Sequence, residues 1–294
     1  MGQKLRAYLQ LCRPANLPTA AADILAGLAL AGFFDEGGVY DFSNMVPVIK
    51  LISASVLLYA GGVVLNDFFD ADLDRVERPE RPIPSGVVSG KNAFLLGALL
   101  LLLGVMVSFT VHLRSGLVAV VLTLCILAYD SYSKKHKVLG PLNMGVCRAL
   151  NLLLGISVFG QFTHLEYLVI PLLFISAVTL VSRGEVHGKN QNPILLAAFL
   201  YVLVICCVIF FQESKYMATL PFVVLFALMV FMPLFKAYKA NTPENIMKAV
   251  KAGVLSIILL NAAIAVGHSN VLLGILMLLL LPLSILLSKI FSVT

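Results

Sequence analysis

Ten apolar runs, each about as long as a bilayer is thick, constrain this chain more than any other feature. They fall near residues 17–34, 46–66, 93–112, 116–132, 141–160, 165–181, 193–212, 216–235, 246–267 and 270–288, joined mostly by short connections. A spanning helix needs roughly 20 predominantly apolar residues. The runs lack the alternation of barrel strands, and backbone groups in lipid must be satisfied within the segment, so the runs read as helices. Only 12% of the 294 residues are charged and the mean hydropathy is +0.98, which leaves too little polar surface to cover a soluble protein. The fold class is therefore all-α, a polytopic transmembrane bundle of nine to ten spans. It reads as one domain over 1–294, with 270–294 carrying the least secure, tenth span. The first run carries Pro18 and Asp23 and no convincing cleavage site, so it reads as a retained helix and not a signal peptide.

The basic residues sort by side. With the N-terminus in the cytoplasm, one side holds Lys4, Arg6, Arg13, Arg75, Arg78, Arg81, Lys91, Lys134, Lys135, Lys137, Arg183, Lys189, Lys236, Lys239, Lys248, Lys251 and Lys289. The other holds Lys50, Arg114 and Lys215, and the acidic loop Asp35-Glu36…Asp41. This bias predicts a multi-pass protein of the cell membrane with a cytoplasmic N-terminus. It also accounts for the net charge of +6 without nucleic acid as a partner. The five cysteines form no CxxC pair and imply neither a disulfide framework nor a zinc site.

Six of the fifteen acidic residues lie between Asp67 and Glu80, directly after the second run. Asn66, Asp70 and Asp74 are spaced i, i+4, i+8 and share one helical face. Stacked carboxylates repel unless a cation lies between them, and hard oxygen donors at this spacing suit Mg²⁺ bridging to substrate phosphates. The bland alternative is a solvated helix end, but Asn66 closes an apolar span, where a polar side chain is costly and by default functional. Arg78 and Arg81 follow at once, and the planar guanidinium fork suits phosphate oxygens.

Asn66-xxx-Asp70-xxx-Asp74 followed by Arg-Pro-x-Arg-Pro-Ile-Pro-Ser-Gly resembles the first aspartate motif of the UbiA superfamily of intramembrane prenyltransferases. Arg13-Pro14-Ala15-Asn16 before the first helix and Tyr129…Tyr132-Ser133-Lys134-Lys135 after the fourth are similar to the same family, over about residues 5–266. The resemblance implies a bundle around a central cavity open to lipid, with an isoprenyl diphosphate held by Mg²⁺ between two aspartate-rich motifs. The second motif departs from the family pattern. Val181-Ser182-Arg183-Gly184-Glu185-Val186-His187-Gly188-Lys189 keeps one carboxylate, with Ser182 and Lys189 where aspartates are expected. Three readings stay open. Glu185 reaches one Mg²⁺ while Arg183 and Lys189 contact the diphosphate; diphosphate chemistry is lost and the cavity binds or moves a lipid-like molecule; or Glu185 and Lys189 form a plain i, i+4 ion pair. This segment and Gly140–Asn151 resemble the EboC-like branch of the superfamily, which implies a small, polyhydroxylated acceptor.

Asn16, Asp23, Asn143, Arg148 and Asn151 interrupt apolar helices. An arginine in a span needs an anionic partner, here the diphosphate or a carboxylate such as Asp130. The expected activity is Mg²⁺-dependent prenyl transfer from an isoprenyl diphosphate to a small-molecule acceptor, in contact with membrane lipid. Asn66, Asp70 and Asp74 hold the metal. Asn16, Arg78, Arg81, Tyr129, Lys134, Asn151 and Arg183 bind substrate, and Asp67, Arg148, Glu185 and Lys189 are the catalytic candidates. The competing expectation is a non-catalytic carrier or binding protein for a lipid-linked metabolite. A CDP-alcohol phosphotransferase would need an Asp-Gly-xx-Ala-Arg arrangement that the acidic segment lacks.

Overall fold

The computed structural model describes residues 2–34, 42–185, 191–212 and 215–291, with the side chains of 42–44 excepted. Lys189 and the loop acids Asp35, Glu36 and Asp41 lie outside the described residues. Thirteen α-helices follow in chain order among the described residues: α1 Gln3–Leu11, α2 Leu17–Leu30, α3 Phe42–Phe69, α4 Ala71–Glu77, α5 Gly90–Phe109, α6 Leu113–Ser131, α7 Leu139–Ile156, α8 Val169–Ser182, α9 Gln191–Phe211, α10 Tyr216–Lys239, α11 Pro243–His268, α12 Val271–Leu278 and α13 Leu280–Ile290. Among the described residues, nine helical stretches are long and apolar enough to cross a membrane, with α12 and α13 counted as one stretch. The protein is a multi-pass membrane protein, and every element among its described residues is a helix.

The first run differs from its expectation. It yields α2 of only 14 residues, preceded by a separate α1 and a 3-10 turn over Pro14–Asn16. The helix starts where the run does but stops at Leu30, because Gly32 takes a positive φ of 75° and turns the chain, so apolar length overstated the helix. The last run does form a helix, jointed at Leu279, three residues before Pro282. That proline cannot donate to the residue four earlier, which explains the joint.

α2 and α11 occupy the middle of the bundle. Twelve of the 14 residues of α2 are buried, many of them alanine, and α11 buries a stretch of Ile257–Val266 without interruption. Small residues let backbones approach, which is how membrane helices gain contact without a hydrophobic driving force. At the α2–α7 crossing, a Cβ on Gly27 would stand 2.8 Å from the Cα of Gly155, and one on Gly155 would stand 2.6 Å from the Ile24 carbonyl oxygen. α13 closes the bundle against its beginning, where the Ser284 hydroxyl donates to the Ala15 carbonyl.

Candidate active site

α3 and α6 end, and α2 and α7 begin, at the same end of the bundle, and the acidic segment lies there. Hydrogen bonds continue across the α3–α4 junction, from the Asp70 amide to the Asn66 carbonyl at 3.0 Å, Asp74 to Asp70 at 2.8 Å and Arg78 to Asp74 at 2.8 Å. The i, i+4, i+8 register of Asn66, Asp70 and Asp74 therefore survives the break at Asp70.

Each acid of this face meets a cation from elsewhere in the chain or from the loop that follows. Asp70 pairs with Lys134 at 2.6 Å, and Asp74 with Arg81 at 2.7 Å. Asp67, one turn before Asp70, is buried between Arg13 at 2.6 Å and Arg81 at 3.4 Å, and so shares Arg81 with Asp74. Asn66 donates its amide to Asp130 on α6 at 2.9 Å. Glu185 faces Arg78, Arg13 and Arg81; burial pushes its carboxyl above the ordinary range and those arginines pull it back. Tyr129 is half-buried next to Asp130, within electrostatic range of Asp70. Asn66, Asp67, Asp70, Asp74, Arg78, Arg81, Tyr129, Lys134 and Glu185 are thus brought to one place. Arg13 and Asp130 join them, although the sequence had marked neither as a site residue; each is an isolated charge at the edge of an apolar run.

Other predicted residues sit elsewhere. Arg183 gives both guanidinium ends to backbone carbonyls, Lys137 at 2.7 Å and His136 at 2.6 Å, and so ties α8 to the loop before α7. Asn16 sits at the start of α2, where its carbonyl accepts from Thr19. Arg148 does not pair with Asp130. Its partner is Asp23 on α2, at 2.7 Å from Nε. Asn151 at 2.8 Å and Asn261 of α11 at 2.6 Å also donate to Asp23, and Ser55 donates to the Asn151 side-chain oxygen at 2.7 Å. Arg148 stands 5.9 Å from the centroid of the Tyr59 ring. Tyr59 precedes Asn66 by two turns on α3, so this layer lies about 10 Å deeper than the acidic face. Asn261 escaped the sequence reading although it interrupts an apolar run as plainly as Asn143 does.

Among the described residues, no three acidic, histidine or cysteine side chains are placed to hold a metal ion by themselves. Mg²⁺ characteristically takes one or two protein carboxylates and completes its shell with water and phosphate oxygens, and the half-buried Asp70 beside Asn66 fits that pattern. An open groove of about 350 Å³ between α10 and α11, with Met232 and Lys248 on its walls, shares no residue with the polar cluster.

The model of the UbiA prenyltransferase family matches residues 24–250. The chain belongs to the UbiA prenyltransferase family. This family member is 32% identical over 191 residues to digeranylgeranylglyceryl phosphate synthase of Methanosarcina mazei, covering 63% of this chain and 65% of that one. It is 36% identical over 152 residues to the enzyme of that name from Ignicoccus hospitalis, covering 52% and 47%. The aligned regions thus span between about half and two thirds of those relatives' lengths. A UbiA homolog from Archaeoglobus fulgidus, solved with GPP and Mg²⁺, superposes with a TM-score of 0.67 at 13% identity, over 88% of this chain and 99% of that one. A digeranylgeranylglyceryl phosphate synthase structure superposes at 0.64 with 23% identity, over 91% and 99%. At those identities the superpositions establish the fold.

Proposed function

We propose that this UbiA family member is a Mg²⁺-dependent intramembrane prenyltransferase that moves an isoprenyl group from its diphosphate to a small hydroxylated acceptor. The observation that carries the reading is the matched set of charges at one end of an apolar bundle: Asp67, Asp70 and Asp74 against Arg13, Arg81 and Lys134. Such a set can exchange internal ion pairs for a divalent cation and a polyanion without leaving a charge buried and unpaired. Asn66, Asp70 and Asp74 would hold Mg²⁺, which when bound would supply charge neutralisation at the leaving diphosphate. Arg13, Arg81 and Lys134 are placed to donate to diphosphate oxygens as negative charge grows there, with Arg78 beside them. Asp67 keeps Arg13 and Arg81 in position. The apolar helices below exclude water from the reactive prenyl carbon.

The relatives' name specifies a glyceryl phosphate product, and the branch resemblance implies a polyhydroxylated acceptor; both favour an acceptor with free hydroxyls. The layer of Asp23, Arg148, Asn151 and Asn261 offers hydrogen-bonding groups in the bundle interior. Residues 1–294 work as one unit, with the N-terminus and the acidic face on the cytoplasmic side.

The test is diphosphate release from labelled geranylgeranyl diphosphate by the purified protein in nanodiscs, with Mg²⁺ and a panel of glycerol-, sugar- and cyclitol-based acceptors. Release is expected with at least one acceptor, and Asp70→Ala abolishes it. Binding without release under every acceptor would leave a carrier, not a transferase.

A further inference from the structure

Asn66 and Asp70 stand one turn apart at the end of α3, and Asp130 and Lys134 are four residues apart where α6 ends. The two pairs face each other as two rungs, Asn66 to Asp130 at 2.9 Å and Asp70 to Lys134 at 2.6 Å. The rungs are not equivalent. Lys134 neutralises Asp70, whereas Asp130 receives a neutral amide on Oδ1 only. Its residue is 2% exposed, and Oδ2 is buried with no hydrogen-bond partner. An asparagine at 130 would accept the same bond from Asn66 without burying a charge, so the Asn66 contact alone gives no reason for a carboxylate here. The second acidic motif, meanwhile, offers Glu185 but has Ser182 where a further carboxylate is expected.

We propose that Asp130 is a Mg²⁺ ligand, with Oδ2 providing on α6 the carboxylate oxygen that the altered motif after α8 does not. This rests on the transferase reading of the same site. Hard anionic oxygen is the donor type Mg²⁺ selects, and Asp130 faces the Lys134 ammonium, the Asp70 carboxylate and the Asn66 amide of the metal-binding face, with Arg13 farther off. The position also explains Lys134: its ammonium, paired with Asp70 and within electrostatic range of Asp130, offsets the repulsion between the two carboxylates until a divalent cation takes over that role.

Mn²⁺ binding, read by electron paramagnetic resonance on the full chain in nanodiscs with inorganic pyrophosphate, tests this without turnover. Asp130→Asn keeps an acceptor for Asn66 and removes the charge; it is expected to weaken Mn²⁺ binding by about tenfold or more while thermal stability holds or rises. Asp130→Ala weakens it at least as much. Wild-type Mn²⁺ affinity in Asp130→Asn overturns the proposal and makes Asp130 a positioning residue for Asn66, whatever Asp130→Ala does. In that event a loss of binding in Asp70→Asn shows that the transferase site itself stands. If wild-type protein binds no Mn²⁺ with pyrophosphate, both the site reading and the role of Asp130 fall.

Discussion

Asp23 accepts from Arg148, Asn151 and Asn261 at 1% exposure, in a part of the bundle where water cannot compensate a lost partner. Breaking a buried ion pair on one side leaves the other charge stranded and costs about 3–5 kcal/mol. Asp23→Ala and Arg148→Met are each expected to lower the unfolding temperature sharply in detergent. The double substitution should cost less than either single one, and additive losses would show that the pair carries no coupling. At the acidic face, Arg81→Ala removes the partner shared by Asp67 and Asp74 and is expected to reduce prenyl diphosphate affinity tenfold or more, measured by isothermal titration. Glu185 has its carboxyl raised by burial, so its ionisation opposes folding. Relative to Glu185→Gln, the wild-type protein should gain stability as pH falls towards 4.5, the ordinary value for this group, and lose that gain as pH rises above it. Asn66, Asp70 and Asp74 were readable in the sequence because helical spacing is a local property. The partners were not: Arg13 is 54 residues from Asp67 and Asn261 is 238 from Asp23, and no local pattern encodes such pairings.

Elements obey the same division between local and distant causes. Apolar runs and their proline and capping signals mark the helices well; Thr242 caps α11 by accepting from the Asn245 amide, and Asn270 caps α12 by accepting from Leu273. The shortness of α2 was hidden, because residues 31–34 keep the run's apolar character while the positive φ at Gly32 ends the helix before them. The α2–α7 crossing depends on two glycines facing each other. Gly155→Ala is expected to force the helices apart, lowering thermal stability and, because Asp23 and Arg148 sit on the same two helices, weakening their pair as well. Unchanged stability would mean the crossing relaxes without loss.

At the scale of the whole molecule, the sorting of lysine and arginine predicts which ends of the bundle share a compartment. In a cysteine-free background, single cysteines at Lys91 and Lys239 should be shielded from a membrane-impermeant maleimide in intact cells, and one at Arg114 should react. The opposite pattern would place the acidic face outside. The class of the spans and, to within one, their number were legible because lipid imposes them residue by residue. The centre of the bundle was not, since the helices that meet there, α2, α7 and α11, come from the beginning, middle and end of the chain.

The buried cluster around Asp23 also has a schedule. A ribosome adding about 5–20 residues per second makes Asn151 some 6 to 25 s after Asp23 and Asn261 some 12 to 48 s after it. For that interval the Asp23 carboxyl has none of the partners it will later have, although α3 is already available to pack on α2. That carboxyl waits near the headgroups or beside the insertion machinery until α7 and then α11 arrive, so a helix made early in the chain is among the last to complete its contacts.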